Sequence, residues 1–169
     1  MESAISTFIL AIATVVIGVV LFGLISSYVA VQATTTNEIK EAQALASTLQ
    51  IREQISYGEA IVVPYLPGYS RLIYVVAFNV PQNLTTAESL SLITPSMGTP
   101  VEVNYTSGVS TSITVYSTSG KEIYSGPALL YNTTSNSVSI ISLPTHGYTV
   151  VWFMVDIDGK LYRIGYLEL

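Results

Sequence analysis

Residues 8–25, FILAIATVVIGVVLFGLI, form an almost wholly apolar run near the amino end of a 169-residue chain. No charged side chain occurs between Glu2 and Glu38. Only a helix satisfies all of its own backbone hydrogen bonds in lipid, and about 20 apolar residues cross the hydrocarbon core. At about 1.5 Å per residue, the uncharged stretch would reach roughly 50 Å, beyond a core of about 30 Å. The sequence therefore predicts a membrane-spanning helix that emerges as a stalk.

A secretory signal peptide is the first alternative, because it also begins a chain with an apolar block. The block here is longer than the usual length of about 7 to 15 residues, no basic region precedes it and no small-x-small cleavage pattern follows it. We therefore expect the helix to be retained. The nearest basic residues, Lys40 and Arg52, follow the helix. The positive-inside rule alone would place the amino terminus outside.

The composition excludes several classes of function. Charged residues make up 10% of the chain, hydrophobic residues 50%, and the net charge is −5. The few Lys and Arg residues are scattered, whereas nucleic-acid binding needs them clustered, so we expect no nucleic-acid partner. Cysteine is absent, which excludes disulfides, thiolate nucleophiles and zinc–thiolate sites.

Small residues recur at helical spacing in the apolar helix, as Thr14 with Gly18 and Gly23 with Ser27. Small residues four apart let helices approach closely, so these four are candidate helix-packing residues, although Gly and Ser are also simply common in membrane helices. Glu2 precedes the apolar block, where the positive end of the helix dipole favours a carboxylate. It could pair with the α-amino group of a neighbouring chain or be an ordinary interfacial residue.

A second helix pattern follows the apolar block. Between residues 38 and 55 the apolar side chains fall at spacings of three and four, namely Ile39, Ala42, Leu45, Ala46 and Leu49. This predicts an amphipathic helix, continuous with the anchor or capped anew at Thr36 or Asn37, that ends by Tyr57-Gly58. We therefore divide the chain into a helix and stalk at residues 1–57 and a second domain at residues 58–169.

Beyond Gly58 the chain consists of short runs rich in β-branched and aromatic residues, which predict strands. The predicted strands are residues 61–63, 71–80, 101–105, 112–116, 122–124, 128–131, 137–143, 148–155 and 161–167. Turn residues separate them, including Ser125-Gly126-Pro127 and, as the strongest hairpin signal, Asp158-Gly159. Roughly seven to nine strands in about 110 residues predict an antiparallel β-sandwich of immunoglobulin-like type, and an α+β class for the whole chain.

The residues that could carry chemistry form no catalytic pattern. His146 is the sole histidine, and it lies in a Pro-Thr-His-Gly turn with no nucleophile elbow in the chain. Asp156 and Asp158 are too few for a cation site, and Asp158 is explained by its turn. No glycine-rich phosphate loop is present. We expect no enzymatic activity, no cofactor and no metal.

Three N-glycosylation sequons occur in the β region, at Asn83, Asn104 and Asn132. A chain rich in Ser and Thr produces some sequons by chance, so each one alone is a weak signal. All three lie in or beside predicted loops and none lies in the anchor. Together they favour a β domain outside the cell.

The long apolar helix from Ile5 to Ile25, its amphipathic continuation and a β domain rich in Ser, Thr and Tyr resemble the archaeal type IV filament superfamily. That superfamily includes adhesive pilins, archaellins and membrane-anchored accessory proteins of the archaellum. In it, a short basic leader is removed just before the apolar helix, which would explain the missing positive charges at Met1; leaderless accessory forms would explain them too. Bacterial pilins carry a glutamate at the fifth mature position, whereas this chain has Ile5, and archaeal members often lack that glutamate.

The resemblance implies two functions. In the first, the chain is a filament subunit for adhesion or motility: it waits in the membrane, an assembly ATPase and a membrane platform protein extract it, and its helix joins a homo-oligomeric filament with the glycosylated β domain outside. In the second, it stays anchored, and its external domain binds a surface-layer protein or a partner subunit. A third and weaker alternative is a tethered solute-binding or enzymatic domain.

Overall fold

The computed structural model describes residues 2–87, 90–106 and 108–169, with side chains described for residues 5–84, 91–106 and 108–169. A long helix, α1, spans Glu2–Thr48. The strands follow it, so the predicted α+β class, a long apolar helix before a mostly β domain, is confirmed. The chain forms two compact units, Met1–Asn37 and Glu38–Leu169. The last turns of α1 therefore belong to the same unit as the strands.

From Glu2 onward the first unit is helical, and most of it is apolar. One 18-residue window has a mean hydropathy of 3.0 and none of it is buried, so this helix is long and apolar enough to cross a membrane. The run of threonines near residue 35 does not interrupt it. The hydroxyls of Thr34 and Thr36 donate to the carbonyls of Ala30 and Gln32, at 3.1 and 2.8 Å. Their polar atoms are thus satisfied within the helix.

The amphipathic helix is shorter than the sequence predicted. α1 ends at Thr48, and the residues expected to continue it to position 55 form strand β1, Gln50–Ser56. β1 joins β2, Glu59–Tyr65, through a two-residue turn at Tyr57 and Gly58, both with positive φ. The hairpin partner overrides the helix propensity of Gln, Arg and Glu in this segment.

Seven further strands complete the domain. They are β3 (Ile73–Val80), β4 (Thr99–Pro100), β5 (Val109–Ser117), β6 (Glu122–Thr133), β7 (Ser139–Ser142), β8 (Tyr148–Ile157) and β9 (Lys160–Glu168). Between β3 and β4 the chain forms a short helix, α2, at Gln82–Ala87 and two 3-10 turns, Leu90–Leu92 and Pro95–Met97. The strand predicted at residues 101–105 is reduced to isolated bridges at Val103.

The strands form two sheets, and the larger one closes on itself. The smaller sheet has the order β1-β2-β7. In the larger sheet β3 pairs with β6, β6 with β5, β5 with β9, β9 with β8 and β8 again with β3, which makes a five-stranded barrel with β4 added to β3. The β5–β9 pair is parallel. The prediction of an antiparallel immunoglobulin-like sandwich is corrected accordingly, because long-range pairing of β3 with β8 closes the ring.

β3 and β8 are the central strands, because side chains on both of their faces are buried. Trp152 of β8 lies in one of two hydrophobic clusters, with its ring edge-on to Phe78 and Tyr124 at 5.7 and 6.1 Å between centroids. The other cluster takes the alternate residues of β3 and β8, together with residues of the small sheet and of the end of α1, including Ala42, which is fully buried.

Two turn predictions have opposite outcomes. Asp158-Gly159 forms the β8–β9 hairpin turn, and Asp156 Oδ1 accepts the Gly159 N–H at 2.8 Å. The turn predicted at residues 125–127 is wrong, because β6 runs through it and Pro127 lies opposite Ser112 of β5. β3 pairs only with the far end of β6, so near Pro127 β6 is hydrogen-bonded to β5 alone. Proline is tolerated in a strand that is paired on one side only.

Candidate functional site

The most unusual surface of the molecule is the apolar helix surface, which we define as the side chains of residues 5–31. Every large apolar side chain in that range is between 49% exposed (Ile12) and 73% exposed (Phe22). The apolar side chains point in all directions around the helix, so no face is reserved for water. Exposed apolar area on this scale marks a surface that lipid or protein covers.

The predicted helix-packing residues lie on two opposite sides of this surface. At 3.6 residues per turn, Thr14 and Gly18 share one side, and Gly23 and Ser27 lie about half a turn away from them. A Cβ added at either glycine meets no atom within 4 Å. The Thr14 hydroxyl donates to the Leu10 carbonyl at 2.8 Å, so it needs no partner from outside. Both sides therefore offer a close approach. The side chain of Glu2 lies outside the described side chains.

The second candidate region is the helix–domain junction, which we define as Glu38, Lys160 and Tyr162. Glu38 lies at the start of the second unit and is only 4% exposed. Its Oε2 accepts from Lys160 Nζ at 2.7 Å and from the Tyr162 hydroxyl at 2.8 Å. Burial, reinforced by this hydrogen bond, raises the pKa of Tyr162 well above its ordinary value. The buried Glu38 carboxylate thus has the Lys160 ammonium as its counter-charge and the neutral Tyr162 hydroxyl as a second hydrogen-bond donor.

Packing reinforces the helix–domain junction. Gly120 and Gly165 lie so close to the helix that an added Cβ would come within 2.7 Å of Ile39 Cδ1 and 2.5 Å of Leu49 Cδ2. The exposed pair Arg71–Glu41, at 2.6 Å, adds an ion pair on the surface. Residues 38–48 are therefore built into the β domain. Sequence reasoning predicted their apolar stripe but missed Glu38, because nothing local marks Lys160 and Tyr162 as its partners.

The three sequon asparagines occupy different backbone settings. Asn83 is exposed on α2, and its sequon partner Thr85 lies outside the described side chains. Asn132 is exposed near the end of β6, opposite Tyr74. Asn104 has φ 56° in a turn and is bonded to β7: its Oδ1 accepts the Ile140 N–H at 2.8 Å, and its N–H donates to the Ile140 carbonyl at 2.7 Å. All three side chains reach the surface.

The residues considered for chemistry lie at the two ends of β8. His146 is exposed in a bend before β8, and its carbonyl accepts from Asn79 Nδ2 at 3.1 Å. Asp156 bonds to the turn that follows it. Among residues 2–87, 90–106 and 108–169, no group of three His, Cys, Asp or Glu side chains could hold a metal. Arg163 is half-buried, lies over Trp152 at 4.8 Å and donates to the Ser91 carbonyl, and desolvation lowers its pKa.

Comparison of the chain with known protein families, with curated proteins and with solved structures found no match.

Proposed function

We propose that this chain is a structural subunit of an archaeal type IV pilus-like filament on the cell surface. It polymerises through the apolar helix surface while the β domain faces outward. The observation that carries the proposal is the exposure of apolar side chains on every side of residues 5–31. A helix that is apolar all round needs burial all round, and a bundle of identical helices supplies this as well as lipid does.

The small residues support assembly as well as insertion. A helix in the interior of a bundle has neighbours on more than one side, and Gly18 and Gly23 open onto opposite sides of this one. The uncharged stretch also exceeds the length that a bilayer core requires.

The helix–domain junction fits a subunit that bears load. A filament core made of helices must transmit force to the exposed domains, and the buried Glu38–Lys160 pair together with the packing of Ala42 fixes the helix end in the domain. A helix end fixed in the domain would suit a rotating filament as well as an adhesive one. The proposed filament could therefore serve motility or adhesion.

The proposed partners follow from this assembly. Before assembly the helix resides in the membrane, from which an assembly ATPase and a membrane platform protein would transfer it to the filament. The exposed sequons Asn83, Asn104 and Asn132 make the domain a proposed glycoprotein surface. Neither an enzymatic activity nor a cofactor enters the proposal.

One observation favours a second function. The helix is long and apolar enough to anchor the chain permanently in a membrane. In that case the chain would be an archaellum accessory protein of stator-like type, and its external domain would bind the surface layer or a partner subunit.

The test is electron microscopy of filaments sheared from the source cells, with mass spectrometry of the purified material. The filament proposal expects this chain to be the main component. Filaments that lack it, while the chain stays in the membrane fraction, would replace the filament proposal with the anchored one.

Variants of the two glycines sharpen the test. Gly18→Leu and Gly23→Leu each place a bulky side chain on a proposed packing face, yet leucine favours the helix itself by roughly 0.8 kcal/mol over glycine. We expect shorter or fewer filaments with an unchanged β domain. Normal assembly of both variants would show that these faces do not pack closely.

A further inference from the structure

The small sheet β1-β2-β7 has two edges, and one of them is closed by the chain itself. The backbone groups of β7 that point away from β2 belong to Ile140 and Ser142. Asn104 satisfies both groups of Ile140, with its side chain and its N–H, and the Ser142 N–H donates to the Glu102 carbonyl at 3.5 Å. These groups are therefore not available for pairing with another strand at this edge of the sheet.

The opposite edge, β1, is open. A two-residue hairpin loop is flanked by a hydrogen-bonded pair, here Ser56 with Glu59, and such pairs alternate along the ladder. Ile51, Glu53 and Ile55 consequently point their N–H and C=O groups away from β2. Across the described ranges 2–87, 90–106 and 108–169, no hydrogen bond to these outward groups is formed. Three residues thus present unpaired backbone N–H and C=O groups to which another strand could bond.

The side chains of β1 and its turn are exposed and partly apolar. Six of the seven residues of β1 are exposed, and Ile55 is exposed by 57%. Tyr57 at the tip is fully exposed with φ 50°, a left-handed backbone conformation that tyrosine rarely adopts. Tyr105 is also 61% exposed, but it follows Asn104 at the β7 edge, and its hydroxyl donates to Glu59 Oε1 of β2 at 2.5 Å. An exposed tyrosine next to a strand with unpaired backbone groups, as Tyr57 is here, is typical of protein contact surfaces.

We propose that β1 pairs antiparallel with β1 of a second copy of this chain, about a two-fold axis at Glu53. In this register Ile51 of each copy faces Ile55 of the other, and Arg52 faces Gln54. The three facing pairs formed by residues 51, 53 and 55 would each exchange two hydrogen bonds. Both isoleucine pairs would become less exposed to solvent. The symmetric spacing of Ile51 and Ile55 about Glu53, which lets each isoleucine face an isoleucine of the other copy, is the reason for choosing a second copy as the occupant. The contact goes beyond the proposed filament, which is built from helices.

Glu53 limits this contact. It faces the same carboxylate of the second copy at the axis, and like charges directly opposite each other weaken a strand pair. Charges in an edge strand are also a common device against uncontrolled pairing. The contact is therefore weak between free molecules and forms where copies are concentrated, in a membrane or between neighbouring filaments. Because a two-fold contact closes on itself, it joins two copies and goes no further.

Cysteine crosslinking of the full chain tests the register. The chain has no cysteine, so a Glu53→Cys variant crosslinks only through the new thiol. In the proposed pair the two Cα atoms at position 53 lie about 5.5 Å apart, within the span of a disulfide. Mild oxidation of cell membranes and filaments should yield at least about tenfold more covalent dimer than Val109→Cys, an exposed strand control. Equal yields would overturn the proposal.

Two further variants exclude other registers. Crosslinking that is strongest for Arg52→Cys or Gln54→Cys would overturn the axis at Glu53. A Glu53→Cys product with a different protein, in place of the dimer, would overturn the second copy as occupant.

Noncovalent variants give an independent readout. Glu53→Gln removes the repulsion and should tighten self-association of the detergent-solubilised full chain by roughly two- to five-fold in sedimentation analysis. Glu53→Pro removes an outward N–H that has no partner within the chain, so it should abolish the dimer and leave the hairpin folded. Filaments that form normally with Glu53→Pro are expected, because helix assembly and strand pairing are separate contacts. Weaker association of Glu53→Gln would contradict the facing carboxylates.

Discussion

The apolar helix surface and strand β8 are made of the same kinds of side chain, valine, isoleucine and a few aromatics, yet their surroundings are opposite. In β8 the residues from Thr149 to Val155 are all buried, because the barrel covers one face and the small sheet and helix end cover the other. The large apolar residues of the apolar helix surface are about half exposed or more. β8 thus buries its apolar side chains within the chain, whereas the apolar helix surface needs lipid or other molecules to remove its side chains from water.

The largest expected effect comes from truncating an aromatic residue in each region. Trp152→Ala should lower the free energy of unfolding of the β domain by about 3–5 kcal/mol, because it empties the space between Phe78 and Tyr124. Phe22→Ala removes a ring that is 73% exposed and should leave that free energy nearly unchanged. Denaturant unfolding of the full chain in detergent measures both. Equal losses would mean that the two regions do not differ as described.

A charge placed in the helix should have the next largest effect. Ile17→Arg puts a guanidinium near the middle of the apolar block, at a cost of about 2.5–3.5 kcal/mol in a bilayer. We expect loss of the protein from the membrane fraction and from filaments. The matched control, Ile55→Arg, changes an isoleucine of similar exposure in β1 and should not alter membrane retention. If both variants remain in the membrane, the helix is not the anchor.

The two ion pairs of the second unit provide a smaller contrast. Lys160→Met leaves the buried Glu38 carboxylate with Tyr162 as its one described partner and should cost about 1–3 kcal/mol of stability. Arg71→Met breaks the exposed pair with Glu41 and should cost at most about 1 kcal/mol. Thermal unfolding compares the two. A larger loss for Arg71→Met would contradict the structural role of the helix–domain junction.

The smallest effect concerns alkaline pH. The folded domain raises the pKa of Tyr162 above the unfolded value of about 10, so the neutral hydroxyl is favoured by folding. Its contribution to stability is complete below about pH 10 and is lost as the pH rises toward the folded pKa. Tyr162→Phe should flatten the alkaline decline, leaving the part due to the other tyrosines with raised pKa values. Burial raises the pKa of Tyr69, Tyr124 and Tyr131, and the hydrogen bond to Glu59 raises that of Tyr105. An unchanged decline in that variant would exclude Tyr162 as its source.

Local chemistry explains which elements could be predicted. The Asp158-Gly159 hairpin and the strands β3, β8 and β9 follow from turn residues and β-branched runs. β1 was missed because Gln, Arg and Glu favour a helix locally, and only pairing with β2 makes the segment a strand. The turn at residues 125–127 was wrong because its Gly-Pro signal gave way to the ladder with β5.

The candidate site divides in the same way. The apolar helix surface is visible in the sequence, because uninterrupted apolar character needs no partner to be recognised. Glu38 is not, because its two partners are far away along the chain, at Lys160 and Tyr162. The open edge of β1 and the closed edge of β7 also depend on which strands become neighbours, which composition does not encode.

The long apolar helix, with no charge between Glu2 and Glu38, and the β domain that follows it can be predicted from the sequence alone. Those features depend on residues adjacent in the chain. Three other features follow only from the tertiary contacts: β3 pairs with β8 to close a barrel, the end of α1 is built into the domain, and one edge of the small sheet stays free. These features depend on contacts between residues that are far apart in the sequence. Such contacts stabilise the fold only once the whole core is packed.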